Sequence, residues 1–204
     1  EIGCGTGYVL GQLAAVRPRL RICGSEIFTR GLHYASKRLP DAELIQVDAR
    51  ELPYRDEFDA IGAFDVLEHI EEDCKVLEEM CAALKVNGLL IVTVPQHQWL
   101  WSSVDEYSHH VRRYSEKELN SKICAAGFRI VRSSSFVTEL LPLMVASRWG
   151  NKSNDGEDDS AELEVPLIIN RALYFIMYLE QSLIRLGLNL PIGGSRLVVA
   201  RKAG

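Results

Sequence analysis

The sequence predicts an α/β protein built on a doubly wound, mostly parallel β-sheet with helices on both faces. Short apolar runs alternate with amphipathic helical segments, a pattern typical of repeated strand–helix–strand units. Acidic residues stand at or just after several predicted strand ends, at Glu26, Asp48 and Asp65. Parallel sheets bind ligands at the carboxyl ends of their strands, so these positions also predict where a ligand would lie.

The boundaries of the predicted elements follow from local start and stop signals. Pro18 and Pro40 end two helices, Pro95 ends a strand, Ser115 opens a helix and Gly127 ends it. The predicted helices cover residues 8–16, 29–39, 73–84, 115–127 and 167–186. The predicted strands cover residues 1–2, 20–25, 44–47, 58–64, 89–94, 128–132 and 197–201. We expect the chain to begin inside its first motif, with most of the first strand missing.

The segment between the last two predicted strands is far longer than a hairpin loop needs. We therefore expect one domain formed by residues 1–135 and 193–204, and a helical insertion or cap at 136–192 with a mobile acidic loop at 150–164. The apolar helix at 167–186 predicts packing on the sheet edge or across a dimer interface. A lipid-like acceptor or a peripheral membrane contact through this helix is the alternative.

Composition and charge indicate a globular domain and argue against a nucleic-acid-binding protein. The chain has 204 residues, of which 47% are hydrophobic and 25% charged, as is ordinary for a globular domain. The formal net charge is -5, and six acidic residues lie between Asp155 and Glu164, which leaves the rest of the chain nearly neutral. A nucleic-acid-binding protein would need a basic face, so no nucleic-acid partner is expected.

Cysteine usage and hydropathy indicate the compartment. The five cysteines are scattered, odd in number and without a metal-ligand spacing, which predicts reduced thiols in a cytoplasmic protein. No run of about 18 apolar residues occurs, so a membrane-spanning helix is not expected.

The first seven residues, Glu1-Ile2-Gly3-Cys4-Gly5-Thr6-Gly7, carry the strongest signal. Three glycines at alternate positions between a strand end and a helix start allow positive φ and close approach of the backbone to a ligand. The helix N-terminus adds a positive dipole suited to a carboxylate. A nicotinamide-dinucleotide fingerprint would place its third glycine one position later, where this chain has Tyr8. A tight turn without a ligand is the alternative for the glycines alone.

This motif resembles the first motif of class I S-adenosylmethionine-dependent methyltransferases. The resemblance covers roughly residues 1–135 and 195–202, and it is greatest to methyltransferase domains of type 11/12 and to ubiquinone-biosynthesis O-methyltransferases. It implies a Rossmann-like sheet of seven strands with the last strand antiparallel. It also implies S-adenosylmethionine as the cofactor.

The resemblance assigns the cofactor-binding residues position by position. The glycine loop would contact the cofactor, and Glu26 with Ile27 would hold the ribose hydroxyls. Asp48 with Ala49 would contact adenine, and Phe64 with Asp65 would flank the methionine part and the transferred methyl group. The implied cofactor-binding set is Glu1, Gly3, Cys4, Gly5, Gly7, Glu26, Ile27, Asp48, Ala49, Phe64 and Asp65.

Leu67-Glu68-His69-Ile70 is similar to a segment of ubiquinone-biosynthesis O-methyltransferases in which Glu and His residues help to hold a divalent cation near the acceptor hydroxyl. The resemblance therefore raises Mg²⁺ at Glu68 and His69, where it would lower the pKa of the hydroxyl. We favour a site without a metal, because Mg²⁺ binds such sites weakly and Glu68 suits the start of a helix. His69 would then lie beside the cofactor as a candidate catalytic residue.

The segment 99–114 is unusually rich in aromatic, histidine and arginine residues for a connecting loop. It resembles the D-E-x-x-x-H-x-R-R-Y segment that covers the acceptor pocket in the type 11/12 relatives. His110 could act as a general base, and Arg112 or Arg113 could pair with an anionic acceptor group. Trp101 and Tyr107 are further candidate substrate residues. For Arg113 and Tyr114 we favour a structural role that fixes the segment to the sheet.

The sequence therefore predicts a methyltransferase that moves a methyl group from S-adenosylmethionine to a small-molecule acceptor, with oxygen favoured as the nucleophile. The acceptor would be hydrophobic or lipid-like. The alternatives are a non-catalytic cofactor-binding scaffold module and, disfavoured by Tyr8, an NAD-dependent oxidoreductase.

Overall fold

A computed structural model of the chain describes residues 1–150 and 167–204. The predicted acidic loop at 150–164 lies outside these ranges from residue 151 onwards. The helices are α1 (Tyr8–Val16), α2 (Thr29–Arg38), α3 (Asp73–Ala83), α4 (Ser103–Tyr107), α5 (Glu116–Ala125), α6 (Leu141–Gly150) and α7 (Leu167–Arg185). The strands are β1 (Cys23–Glu26), β2 (Glu43–Gln46), β3 (Phe58–Phe64), β4 (Leu84–Pro95), β5 (Phe128–Phe136) and β6 (Ser195–Lys202). Single 3₁₀ turns occupy Leu67–His69 and Gln98–Leu100.

The sheet has the doubly wound order that the sequence predicts. β1 pairs with β2 in parallel, and β3, β4, β6 and β5 lie side by side in that order. Ile2 joins the two groups, since it bridges Ser25 on one side and Ala63 on the other, both in the parallel direction. β6 runs antiparallel to both β4 and β5. The predicted fold class, an α/β fold whose mostly parallel sheet has an antiparallel last strand, is confirmed.

The main core lies on the sheet strands β3, β4 and β6 and under helices α3 and α5. Fully buried apolar side chains come from every one of these elements, and truncating one of the leucines to Ala would cost about 2–5 kcal/mol. The central members are Ile61, Leu77, Met80, Leu84, Leu90, Val92, Leu119, Ile123 and Val198. A smaller cluster of Cys4, Leu10 and Leu39 closes the space beneath the glycine loop.

β4 and β5 are longer than the sequence predicts. β4 begins at Leu84, and its pairing with β3 jumps from Phe58–Leu84 to Ala60–Leu89, so residues in between form a bulge with Asn87 at φ 65°. β5 continues to Phe136 through three serines that an apolar pattern does not mark. Ser134 and Ser135 are nevertheless buried, and Ser135 Oγ donates to Gln96 Oε1 at 2.8 Å.

The helical insertion between the last two strands is confirmed and contains α6 and α7. A single buried carboxylate ties α7 to the end of β5: Glu180 accepts hydrogen bonds from the backbone N–H groups of Val137 (2.6 Å) and Thr138 (2.7 Å). Val137 itself has φ 60°, a strained conformation for a β-branched residue. Many apolar side chains of α7 remain exposed, among them Tyr174 (75%) and Phe175 (60%). Within the described residues, no helix combines the length and hydropathy needed to span a membrane.

Candidate functional site

The glycine loop has the backbone conformation that its sequence predicts. Gly3, Gly5 and Gly7 have φ values of 64°, 51° and 73°, in the left-handed region that side chains disfavour. A Cβ placed on Gly5 would meet no atom within 4 Å, so the loop faces open space at that point. On the other side of the loop, Gly31 lets α2 approach closely, because a Cβ there would lie 2.9 Å from the carbonyl oxygen of Gly5. The loop thus leaves open space beside the backbone of Gly5.

Glu26, at the end of β1, is held in place by backbone donors. Its Oε2 accepts from Gly5 N at 2.9 Å, and its Oε1 accepts from Ile27 N at 2.8 Å and from Phe28 N at 3.0 Å. A carboxylate has about four acceptor positions, so Oε2 keeps capacity for a further donor such as a ribose hydroxyl. The same carboxylate therefore fixes the glycine loop and offers a hydrogen-bond acceptor beside it.

Asp48, which follows β2, forms an ion pair with Arg50. The Arg50 guanidinium binds both carboxylate oxygens, with Nη2 at 2.7 Å from Oδ2, and its Nη1 continues to Glu72 Oε2 at 3.0 Å. These hydrogen bonds hold the pKa of Asp48 below its usual range. Contact between Asp48 and adenine would require Arg50 to share or release the carboxylate. Ala49 lies half-buried beside it, against the main core.

Asp65 follows β3 with φ 54° and opens onto a cleft of about 370 Å³. Its backbone N–H donates to Thr93 O at 3.0 Å, and Thr93 Oγ1 donates to Asp65 Oδ1 at 3.3 Å. The surrounding protein raises the pKa of this carboxyl by desolvation. The residues that line the cleft are Asp65, Glu68, His69, Pro95, Ser108, His110 and Ser195.

Glu68 lies in this lining with a fully buried side chain, and neither carboxyl oxygen has a hydrogen-bond partner among the described residues. Desolvation raises its pKa to about 8. Its backbone carbonyl is used, since it accepts from Val111 N at 2.8 Å and thereby joins the 3₁₀ turn to the segment that carries His110. The expected helix start at Glu68 is reduced to a single 3₁₀ turn, Leu67–His69, and the next α-helix, α3, begins only at Asp73.

His69 and His110 meet edge to face in the cleft, with ring centroids 4.7 Å apart. Desolvation, followed by the neighbouring His110, lowers the pKa of His69, which favours a neutral ring. One ligand-type atom from each of Glu68, His69 and His110 lies within 4.8 Å of the others, so this group could hold a metal ion. Two imidazoles and one carboxylate suit a transition-metal ion better than Mg²⁺, which prefers oxygen ligands.

The segment that carries His110 is fixed by a buried ion pair. Asp105 is fully buried, and its Oδ1 accepts from Arg113 Nε at 2.7 Å and lies 2.8 Å from His110 Nδ1. Its Oδ2 accepts from Ser102 N at 2.9 Å and from Ser102 Oγ at 3.2 Å. Tyr114 is also buried and donates to Asp73 Oδ2 at 2.6 Å. Arg113 and Tyr114 therefore fix the segment, as the structural interpretation of these residues predicts.

The structure brings together only part of the predicted acceptor side. Arg112 points away to Asp73 Oδ2 (2.6 Å) and to the carbonyl of Glu71 (3.0 Å). Tyr107 is 76% exposed, and Trp101 Nε1 donates to Glu106 Oε1 at 3.3 Å. None of these three predicted substrate residues is among the cleft-lining residues above, whereas Asp65, His69 and His110 are.

Three lining residues and one supporting residue were missed by the sequence analysis. Pro95 and Ser195 come from paired positions on β4 and β6, and Ser108 follows α4. Asp105 supports His110 through a contact five residues away in sequence. The D-E-x-x-x-H pattern contains both Asp105 and His110, so it is the sequence signal that could have predicted their contact.

Comparison with known proteins finds similarity to methyltransferases in the first part of the chain. Residues 1–92 match the family described as Methyltransferase domain. A probable S-adenosylmethionine-dependent methyltransferase of Mycobacterium tuberculosis is 28% identical over 131 residues, which cover 63% of this chain and 47% of that protein. The demethylmenaquinone methyltransferase of Thermotoga maritima is 36% identical over 93 residues, 45% of this chain and 41% of that protein. The chain thus spans about half the length of the curated relatives it matches.

Solved structures show the same architecture. A SAM-dependent methyltransferase from Archaeoglobus fulgidus superposes with a TM-score of 0.62 at 18% identity, and the match covers 98% of this chain and 84% of that chain. At this identity the likeness concerns the fold. Residues 1–92 are therefore similar to the Methyltransferase domain family, and the chain has the same α/β fold as these solved methyltransferase structures.

Proposed function

We propose that the protein transfers a methyl group from S-adenosylmethionine to a small-molecule acceptor bound in the cleft, and that the nucleophile is a hydroxyl oxygen. The proposal is supported by two features at the carboxyl edge of the sheet, the glycine loop and the cleft after β3. The glycine loop with Glu26 forms a cofactor cradle, and a cleft lined by Asp65, Glu68, His69 and His110 follows β3.

The residues present fit the cofactor. Positive φ at Gly5 and the open space beside it admit a ligand against the backbone, and Glu26 Oε2 keeps acceptor capacity for a ribose hydroxyl. Further contacts proposed from the resemblance involve Ile27, Ala49 and Phe64. When bound, the cofactor supplies an electrophilic methyl group on a sulfonium.

The cleft residues position the acceptor and take its proton. His110 lines the cleft with its Nδ1 engaged by Asp105, which leaves Nε2 as the proton-accepting atom of the neutral ring. His69, whose lowered pKa favours the neutral form, lies against it as a second polar contact. Since methyl transfer mainly needs alignment of two partners, holding the acceptor in this cleft provides the larger share of the rate.

The proposed acceptor is a hydroxyl-bearing, partly hydrophobic molecule of the quinol type. The similarity to a demethylmenaquinone methyltransferase supports this class. The exposed apolar face of α7 is the proposed surface for a lipid-like acceptor, a membrane contact or a dimer partner. We assign no step to a metal, because no oxygen-rich set for Mg²⁺ is formed in the described part of the cleft.

The test uses the full-length protein. S-Adenosylhomocysteine should bind in isothermal titration calorimetry, while NADH should not displace it. S-[methyl-³H]adenosylmethionine should then label a hydroxyl-bearing quinol analogue, the label should be found on oxygen and not on a ring carbon, and EDTA should leave the rate unchanged.

Each alternative has its own outcome. Absence of S-adenosylhomocysteine binding would refute the methyltransferase proposal. Binding without labelling of any quinol, catechol or carboxylate acceptor would favour a non-catalytic cofactor-binding module. Displacement by NADH would favour an oxidoreductase. Loss of labelling in EDTA, restored by a divalent ion, would place a metal at Glu68, His69 and His110.

A further inference from the structure

Asp105 is buried, ionised and in direct contact with the ring of the proposed base. We propose that Asp105 is a positioning residue, which holds His110 in the tautomer whose Nε2 is free to accept a proton in the cleft. This inference rests on the proposed function and adds a role for a residue that does not itself line the cleft.

The Asp105 carboxyl group carries no proton that it could donate to His110. Burial alone would raise the pKa of Asp105, but hydrogen bonds from Arg113 and His110 outweigh burial and hold the pKa below its usual range. The carboxylate is therefore ionised at neutral pH and can only accept hydrogen bonds. At 2.8 Å from Asp105 Oδ1, His110 Nδ1 must carry the proton.

The tautomer of a neutral imidazole follows from this single contact. When Nδ1 carries the proton, Nε2 holds the lone pair, and only that nitrogen can accept a proton from an acceptor hydroxyl. His110 is half-buried in the cleft lining, so the lone pair belongs to the ring atom that is not turned to Asp105. The contact with Asp105 therefore fixes both the tautomer and the angle of the ring.

Asp105 is itself prevented from rotating. Arg113 Nε holds Oδ1 at 2.7 Å, while the backbone N–H and the hydroxyl of Ser102 hold Oδ2. The same contacts form the capping box of α4, so the N-terminus of this short helix and the orientation of His110 depend on one carboxylate. The backbone adds a further link, since His110 N donates to Asp105 O at 2.8 Å.

Arg113 also limits what Asp105 does. Its positive charge lies on the same carboxylate oxygen, so it offsets much of the negative charge that would otherwise stabilise a protonated ring. The other ionisable groups facing His110 are Asp65, Glu68 and His69 on the cleft side. Orientation, more than a change in basicity, is therefore the contribution that Asp105 makes.

The experiment measures the tautomer directly and needs no acceptor. Full-length protein labelled with ¹⁵N-histidine is examined by long-range ¹H–¹⁵N correlation at a pH where the ring is neutral, and the His110 signals are assigned from their absence in His110→Gln. In the wild-type protein we expect Nδ1 to be protonated and Nε2 to be unprotonated. In Asp105→Ala the ratio of the two tautomers should change by about tenfold or more, because a charge-assisted hydrogen bond is lost.

Ser102→Ala is the matched control, because it removes a hydroxyl from the same capping box without touching His110. Its His110 tautomer should remain that of the wild type, because the backbone N–H of Ser102 and Arg113 Nε still hold the Asp105 carboxylate after the hydroxyl is lost. S-Adenosylhomocysteine affinity, measured on all variants, should stay within about twofold of wild type, since the glycine loop and Glu26 are unchanged.

The outcomes separate this inference from the proposed function. A wild-type His110 protonated on Nε2 would overturn the role of Asp105 even if Asp105→Ala fails to fold, and so would an unchanged tautomer in a folded Asp105→Ala. Absence of S-adenosylhomocysteine binding with the expected tautomer would refute the methyltransferase function while leaving the positioning of His110 intact. Where an acceptor is labelled, Asp105→Ala should lower kcat and leave KM for S-adenosylmethionine unchanged.

Discussion

The proposed cofactor side and the proposed acceptor side of the site are held in place by different kinds of contact. On the cofactor side, Glu26 is fixed by backbone N–H groups from Gly5, Ile27 and Phe28. On the acceptor side, side chains hold side chains, within one segment in the bond of Asp105 to Arg113 and between distant segments in the bond of Asp73 to Tyr114. Backbone contacts tolerate substitution of many neighbours, whereas each side-chain pair needs both partners. The acceptor side is thus the part that substitution alters most readily.

The largest effect should come from removing the carboxylate that serves both cofactor and loop. Glu26→Ala should weaken S-adenosylhomocysteine binding by about 100-fold or more, because the ligand loses a charged acceptor and Gly5 N loses its partner. Isothermal titration calorimetry measures the change. Glu43→Ala, an exposed acid on the neighbouring strand β2, is the control and should bind normally. Normal binding by Glu26→Ala would remove this residue from the cofactor site.

Breaking the hydrogen-bonded cluster around Asp73 should lower the stability of the fold and leave cofactor binding unchanged. Asp73 Oδ2 accepts from Tyr114, Lys122 and Arg112, each at 2.6 Å. Burial would raise the pKa of Asp73, but these partners outweigh it and lower the pKa. Asp73→Asn should lower the free energy of unfolding by about 3 kcal/mol in urea. S-Adenosylhomocysteine affinity, measured under folding conditions, should change less than twofold; a large change would show that the two sides are coupled.

The stabilisation from Asp73 depends on pH in a defined direction. Because its pKa is lower in the folded state, the contribution is full above its ordinary pKa of about 4 and disappears as the pH falls through the lower value. Wild type and Asp73→Asn should therefore converge in stability at acid pH. A constant difference between them down to pH 2 would contradict the assignment.

Glu68 should show the opposite pH dependence. Its folded pKa of about 8 lies above its ordinary value, so the folded state keeps a proton that the unfolded state releases. Stability should therefore fall as the pH rises from about 4.5 to 8, by a few kcal/mol, and level off above that. In Glu68→Gln this dependence of stability on pH should disappear. Urea unfolding at pH 6 and at pH 9 measures the difference in both proteins. An equal slope in both proteins would mean that Glu68 is ionised or solvated in the fold.

The smallest effect belongs to an exposed aromatic residue of the same segment. Tyr107 is 76% exposed and lies outside the cleft lining, so Tyr107→Ala should change stability by less than about 0.5 kcal/mol and leave S-adenosylhomocysteine binding unchanged. Acceptor labelling should also persist. A loss of labelling would show that Tyr107 closes over the acceptor.

The backbone of the glycine loop was predictable from the sequence, whereas the side-chain pairings of residues 112–114 were not, for a physical reason. Positive φ at glycines is a local requirement, so a short motif predicts it. The pairings of Arg112 and of Tyr114 with Asp73 depend on which distant segments the fold brings together, and no local pattern encodes them. The extension of β5 was missed because buried serines satisfied by hydrogen bonds do not look apolar.

The helical insertion between β5 and β6 begins and ends at neighbouring positions of the sheet. Phe136 pairs with Ser195, so the chain departs from β5 and returns to β6 at adjacent residues. Gly193 permits this, because a Cβ there would lie 2.2 Å from the carbonyl oxygen of Phe136. The end of the insertion also pairs with β5, since Ser135 N donates to Leu190 O and Leu190 N donates to Ser134 Oγ, each at 2.9 Å. Exchange of the helices α6 and α7 that keeps residues 188–194 would therefore test, on an otherwise unchanged sheet, whether the insertion affects the choice of acceptor.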